Sequence, residues 1–455
     1  MISMSDFPST KFQRGKIFAK TGLKLGTNYA KRYVKESMSR GKKKEEPHKE
    51  NRRNLSRFHS ENAQEVFKEF TKLRGTALKI AQSMSMDQGW LPEEFAEVMS
   101  QAQYSVPPIN RALVRSLVKK ELGKYPEQLF ASFNTQALAA ASIGQVHRAK
   151  LKDGREAAVK IQYPHVRDTI ESDLQLAKLL FKRFMRGANV DEYIDEIRDR
   201  LLEETDYHIE GEHIEAFAQR LGSDRFVLPR WIGEYSTQKL LTMTFVEGRH
   251  MNEFLETDPS QELRDHFGQL LWDFFHRQIE QQGPIHADTH PGNFLFRDDR
   301  RLGVIDFGCV KSFPHEFYYN YLKLLPTHAE GDDVKIRALY KKLDILVDNP
   351  SNPEKEEQFY RFCKNYGDAY SLPYQDDRFN FGDPTFKKLI NKYAREFPIM
   401  NEPRGSRHFL YGTRTHLGLY SLLIKLGAHV DTSESQRVVY DLLDEPDAVG
   451  VPKEA

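Results

Sequence analysis

Two cysteines, Cys309 and Cys363, are all that 455 residues contain. A disulfide framework is therefore excluded, and a reducing compartment fits this usage. No cysteine or histidine cluster has the spacing of a structural zinc site. Long apolar runs are missing too. The longest near the C-terminus, LGLYSLLIKLGAHV (417–430), is too short for a bilayer and carries Lys425, so it predicts a buried helix. The first ten residues, MISMSDFPST, lack the charged start and apolar core of a secretory signal. What remains has 39% hydrophobic and 29% charged residues, the composition of a soluble globular protein long enough for more than one lobe.

The formal net charge of +1 conceals an asymmetry. Residues 1–60 hold 16 Lys/Arg and 5 Asp/Glu, a balance of +11 that leaves −10 for the rest. This basic leader is loosely amphipathic, with Phe18, Leu25 and Tyr29 at helical spacing. It suits a solvated tail or a contact with an anionic membrane surface. A transit peptide fits less well, because such peptides favour arginine over lysine. The leader has few aromatics to stack bases and the remainder is acidic, which argues against a nucleic-acid partner.

Periodicity divides the rest. Residues 61–125 predict a helical extension, ending in a helix over 110–123 that stops at Gly123. Residues 126–247 predict a strand-bearing lobe: a hairpin from VHRAKL through KDG to EAAVKIQY, a long helical segment over 191–221, and strands over 226–248. Residues 248–455 predict a mostly helical lobe with a strand pair around 293–306 and loops at 348–357 and 371–384. A small lobe, a hinge near 246–249 and a larger helical lobe make the α+β architecture of a kinase.

The chemistry-bearing residues agree. In HADTHPGNFLF, Asp288 and Asn293 stand five apart, as in the kinase catalytic loop, and Asp306 opens an Asp-Phe-Gly eighteen residues after Asp288. Phosphoryl transfer needs oxygen ligands for Mg²⁺, which Asn293 and Asp306 supply, and a carboxylate to orient or deprotonate the acceptor, which Asp288 supplies. His286 would brace the loop. Lys160 ends the A-x-K of an apolar strand, where an ammonium needs an anionic partner such as phosphate or a helix carboxylate. ATP and Mg²⁺ are the expected ligands.

Two expected elements are absent. The stretch LAAASIGQVHRAKL (138–151) ends like a phosphate-covering loop, with Gly144 and Val146 in place, but Ala139 and Ala141 stand where the first two glycines belong. Ala139, Ala140, Ala141, Ser142, Gly144 and Val146 thus predict a modified nucleotide loop, stiffer or more helical because alanine resists positive φ. A helix N-terminus there would offer its amides to phosphate. After DFGCV the chain enters a helical pattern within about ten residues, without an Ala-Pro-Glu, leaving no room for the usual activation segment. That argues against a large protein acceptor.

LRGTALKIAQ (73–82), AAASIGQVH (139–147), VKIQYPHV (159–166), LLEETDYHIE (201–210), HADTHPGNFLF (286–296) and VIDFG (304–308) together make the chain resemble the UbiB (AarF-related) family of atypical kinases over roughly residues 65–430. The resemblance implies a two-lobed kinase-like fold whose N-terminal helical extension packs over the active site. Lys79 and Gln82 match the family's K-x-G-Q, three apart and so on one helix face. Ala81 replaces its glycine, which favours the helix and limits close approach. Glu204 and Asp206 match the family's helical E-x-D. Glu210, one turn beyond Asp206, is the candidate partner of Lys160, with Glu203 as its competitor. The family also implies ATPase behaviour in coenzyme Q or other prenyl-lipid metabolism, with prenyl lipids, an anionic membrane and lipid-biosynthesis enzymes as partners. The chain would then be cytoplasmic or peripheral at an inner membrane. Two alternatives share these residues: a slow nucleotide-dependent switch or scaffold, and a small-molecule kinase of the aminoglycoside or choline type. The last would not explain the Lys79 helix or the alanine loop.

Overall fold

The computed structural model describes residues 109–141, 143–181, 190–396 and 407–444, with residues 60–68, 76–77, 79–80 and a few single positions before them. The basic leader lies almost entirely outside the described residues. The chain divides into two units, Met1–Gly211 with Trp231–Phe245, and Glu212–Arg230 with Val246–Ala455.

In the first unit, Asn110 caps helix α1 (Arg111–Leu122) by accepting the Leu113 amide, and Gly123 ends it at φ 76°. A short helix α2 (Pro126–Leu129) leads to an antiparallel sheet of β1 (Ser132–Phe133), β2 (Ala139–Ala140), β3 (Gly144–Lys150), β4 (Glu156–Gln162) and β6 (Leu240–Thr244). Strand β3 alternates buried and exposed positions towards its end, whereas β4, between β3 and β6, is buried almost throughout. The connecting turn places Gly154 at φ 92°, a conformation glycine adopts without penalty. Helices α3 (Val166–Phe181) and α4 (Val190–Glu204) pack together.

The segment expected as one helix over 191–221 is two. Helix α4 stops at Glu204, and α5 (Tyr207–Leu221) begins after Thr205 and Asp206. Asp206 accepts the His208 amide through Oδ1 and the Gln238 side chain through Oδ2. An aspartate that caps the following helix offers its first turn a better partner than continued helix would. The strands expected over 226–248 reduce to β5 (Phe226–Val227) and β6, separated by a 3₁₀ turn at Gly233–Tyr235.

In the second unit, α6 (Met251–Glu256) precedes the central helix α7 (Gln261–Glu280), which buries Phe267, Leu270, Leu271, Trp272, Phe274 and Phe275. Then come β7 (Ile285–His286), β8 (Phe294–Phe296), β9 (Leu302–Val304) and β10 (Val310–Lys311). Strands β8 and β9 pair antiparallel with β5 alongside β9, and β7 pairs with β10. Helices α8 (His315–Glu330), α9 (Asp333–Lys342) and α10 (Pro353–Ser371) follow, the last capped by Asn352 and so reaching into the expected loop at 348–357. Strand β11 (Arg378–Asn380) sits inside the other expected loop. Helices α11 (Pro384–Glu396) and α12 (Arg407–Leu426), strand β12 (His429–Asp431) and α13 (Ser433–Asp444) complete the unit. The helix expected over 417–430 ends at Leu426, because Gly427 at φ 64° turns the chain into β12, which pairs with β11. No helix among the described residues is long and apolar enough to cross a membrane.

Two core histidines give this unit a pH dependence. Nδ1 of His276 donates to the Trp272 carbonyl at 2.8 Å, and Nε2 accepts the Tyr374 hydroxyl at 2.8 Å. Burial lowers its pKa to about 3, and burial lowers that of His416 to about 4. The unfolded chain takes up these protons near 6.5, so the stability they contribute is present above pH 6.5 and lost as pH falls towards the folded values. Roughly 2 kcal/mol per ring is expected to go between pH 6.5 and 5. Urea midpoints across that range should fall, and His276→Gln should flatten the slope.

Candidate active site

In the first unit the site is built on β4. Lys160 faces Val146 of β3 on one side and Leu241 of β6 on the other, at the centre of the sheet. Its side chain is 8% exposed, and Nζ donates to both carboxylate oxygens of Glu210, 4% exposed, at 2.8 and 2.9 Å. Glu210 lies in the first turn of α5, where the helix dipole favours a carboxylate. The ammonium also lies 5.2 Å from the Tyr207 ring centroid, within reach of the aromatic face. An ion pair this buried stands only because each charge has the other.

The alanine stretch forms a hairpin and no helix. Ala139 pairs with Val146 and Ala140 with Gln145. The turn closes with the Ala141 amide donating to the Gly144 carbonyl at 2.9 Å and the Gly144 amide returning to Ala141 at 3.4 Å. The expectation of a helical loop is therefore corrected, and the Ala141 and Gly144 amides are used by the turn. Alanine suits this role, since extended β2 needs no positive φ. Gly144 is required for another reason. A Cβ there would fall inside contact distance of the Ile161 carbonyl oxygen, with the Tyr207 hydroxyl beyond it at 3.1 Å. Ala139 and Ala140 are exposed, while Gly144 is buried and Val146 half-buried. Ser142 lies outside the described residues.

Lys79 pairs with Glu204 at 2.8 Å, their side chains 11% and 7% exposed, and Arg200 approaches the other carboxylate oxygen at 3.4 Å. The Lys79 segment is anchored by the Thr76 hydroxyl, which lies 3.0 Å from the Val166 carbonyl and 2.8 Å from the Thr169 hydroxyl. Lys79 and Glu204 are thus brought together. Asp206 is not on a helix with Glu204 and serves as the cap of α5. Gln82 and Ala81 lie outside the described residues.

In the second unit, two short ladders gather the remaining residues. β7 against β10 puts His286 opposite Val310, and β8 against β9 leaves Asn293 bonded through its carbonyl to the Ile305 amide. Asp288, Asn293 and Asp306 therefore emerge at one end of these strands. His286 Nε2 donates to the Asp306 carbonyl at 2.6 Å, while the Gln278 side chain accepts the His286 amide at 2.7 Å. His286 thus holds the backbone of Asp306 and braces both loops. The Asp306 carboxylate accepts the Gly308 amide through Oδ1 at 2.9 Å. Phe307 is fully buried, its ring centroid 5.2 Å from Phe217 and 5.3 Å from His286. Asn293 is buried and donates through Nδ2 to the Asp288 carbonyl at 3.1 Å, which fixes its amide and turns its oxygen to other use.

This donor set fits a magnesium ion. Among the described residues no three His, Cys, Asp or Glu side chains gather to hold a metal by themselves. Asp306 and Asn293 offer one carboxylate and one amide oxygen, the sparse protein contribution that Mg²⁺ takes when phosphates and water complete its shell.

Three side chains here were not singled out from sequence. His290 accepts the Gly292 amide through Nδ1 at 3.0 Å. Burial lowers its pKa, against the pull of Asp288 and Asp306, so it stands neutral beside them. Gly418 of α12 lies so close to Thr289 that any Cβ would collide with its hydroxyl. Tyr207 lies against both Lys160 and Gly144. Its position inside EETDYHIE was the one available signal.

Residues 101–340 match the ABC1 atypical kinase-like domain. The chain belongs to this family. With the UbiB/AarF resemblance so established, the ABC1 chain can be set beside individual relatives. It is 28% identical over 395 residues to the probable serine/threonine-protein kinase abkA of Dictyostelium discoideum, covering 83% of this chain and 70% of that one. It is 33% identical over 280 residues to the mitochondrial atypical kinase COQ8 of Saccharomyces cerevisiae, 60% of this chain and 55% of that protein. The ABC1 chain thus spans little more than half the yeast protein. The solved complex of Rv3197 with erythromycin from Mycobacterium tuberculosis superposes with a TM-score of 0.58 at 27% identity, over 87% of this chain and 100% of that one. The fold is α+β and protein kinase-like.

Proposed function

We propose that this ABC1-family chain is an Mg-ATP-dependent phosphotransferase or ATPase of the UbiB type, working in coenzyme Q or related prenyl-lipid metabolism at an anionic membrane surface. The observation that carries the reading is the buried pair of Lys160 and Glu210, an arrangement that positions an ammonium for phosphate oxygens. Bound Mg²⁺ would neutralise charge on the phosphates, held by Asp306 and Asn293. Asp288 would orient the acceptor hydroxyl or water and take its proton. Helix α8 begins at His315, seven residues after Gly308, which leaves little chain for docking a protein substrate and favours water or a small acceptor. Likeness to COQ8 supports the coenzyme Q setting, and the +11 balance of residues 1–60 supports a membrane surface.

A second reading, a nucleotide-dependent switch or scaffold with little turnover, is favoured by the hairpin that consumes the Ala141 and Gly144 amides. Phosphate release from Mg-ATP, with and without vesicles of anionic lipid, separates the two. The expected result is release that rises several-fold with vesicles and falls again at high salt. Tight ATP binding with no release under either condition would replace the enzyme by the switch.

A further inference from the structure

Glycine is the weakest helix former after proline, yet Gly418 stands in the middle of α12, a helix of 20 residues. Its φ is not positive, so no left-handed backbone calls for glycine there. What calls for it is Thr289, the residue after Asp288. A Cβ on Gly418 would overlap the Thr289 hydroxyl and stand 2.7 Å from the Thr289 Cβ, closer than such atoms approach.

The loop that carries Asp288 is otherwise held at its ends. The Ala287 amide donates to the Cys309 carbonyl at 2.9 Å. Asn293 donates through Nδ2 to the Asp288 carbonyl at 3.1 Å and through its backbone amide to the His290 carbonyl at 3.0 Å. Thr289 takes part in none of these bonds, and it meets the bare face of Gly418 by packing. Helix α12 has no room to retreat from that contact. Leu419, Tyr420, Leu422 and Leu423 are each at most 2% exposed, and the Tyr420 hydroxyl donates to the Tyr370 carbonyl at 2.7 Å. Thr289 is only half-buried and lies in a loop. An atom added at Gly418 therefore displaces Thr289, and Asp288 with it. The same helix also meets the chain beyond the Asp-Phe-Gly. Lys311 Nζ lies 5.2 Å from the Tyr411 ring centroid, and a Cβ on Gly412 would stand 2.9 Å from the Tyr321 ring.

We propose that Gly418 is a positioning residue for Asp288: the bare face of α12 sets where Thr289, and through it the Asp288 carboxylate, stands relative to Asp306. The inference rests on the phosphotransferase reading, in which Asp288 orients the acceptor.

The test compares the full-length parent with Gly418→Ala, with Thr289→Gly, and with the double variant Gly418→Ala, Thr289→Ala. Phosphate release from Mg-ATP and hydrogen exchange over residues 286–293 are measured for each. Gly418→Ala should lower kcat by about 10²-fold, the effect of misplacing a reacting group by about 1 Å. Its KM for ATP should stay within about threefold, because the loss falls on the transition state. Thr289→Gly withdraws the contact without adding an atom to the core, so it tests the contact even where Gly418→Ala fails to fold. It should lower kcat about tenfold. The double variant clears the hydroxyl and methyl out of the way and should regain at least about tenfold in kcat over Gly418→Ala, which a general weakening of α12 would not allow. Exchange over 286–293 should quicken several-fold in both single variants and slow again in the double. Beside an active parent, an unchanged kcat in both single variants, or a double variant no better than Gly418→Ala, would overturn the inference. A parent that releases no phosphate would overturn the phosphotransferase reading instead. The exchange comparison then decides by itself whether Gly418 places the loop, and unchanged exchange in both single variants would sink the inference too.

Discussion

Lys160→Met is expected to lower stability by about 3–5 kcal/mol, because it strands the Glu210 carboxylate in a site where both side chains are under a tenth exposed. The same substitution should abolish phosphate release from Mg-ATP. A stability loss alone would not separate a structural lysine from a functional one, and the double variant does. Lys160→Met with Glu210→Leu removes both charges and fills the space with apolar atoms, an exchange that is near neutral for many buried pairs. Its urea midpoint should return to within about 1 kcal/mol of the parent, while phosphate release stays absent. Recovery of both would make the pair a packing device with no part in the chemistry.

Asp306→Asn is expected to uncouple nucleotide from metal. The amide keeps an oxygen for the Gly308 N–H and leaves the His286 bond to the Asp306 carbonyl intact, so the melting midpoint should move little. What it loses is the negative charge that the Asp306 carboxylate offers to a cation. ATP affinity of the parent should rise when Mg²⁺ is added, whereas that of the variant should not respond. Turnover should fall by at least about a hundredfold, as when a single charge-stabilising group is removed. A variant that retained the Mg²⁺ response would move the metal to other ligands.

Linear motifs made most of this site legible. Asp288, Asn293 and Asp306 are each fixed by short-range order, since the strands that flank them are only two or three residues long and lie beside the loops they position. Glu210 could be chosen because one helical turn separates it from Asp206, and that choice survives the break at Thr205 because α5 restarts at Tyr207. The break itself was hidden: an acid-rich periodicity runs through it, and a capping aspartate looks like another exposed carboxylate. Local preference alone predicts a stiff or helical alanine stretch. Its hairpin is imposed by Gly144, whose missing Cβ lets β3 lie against the Ile161 carbonyl, and that contact is seventeen residues distant in sequence. Strands β11 and β12 escaped for the same cause, pairing Phe379 with Val430 across two helices. Long-range pairing overrides propensity most easily in segments this short.

The central claim is that this ABC1-family chain moves the terminal phosphate of ATP, and Asp288→Asn tests it most directly. Phosphate release and ATP affinity should be measured side by side for the parent and the variant, in Mg²⁺. The account predicts release in the parent, a fall of roughly 10²–10⁴-fold in the variant as expected for loss of a positioned base, and an ATP affinity and melting midpoint that are unchanged. Release undiminished by Asp288→Asn would contradict it.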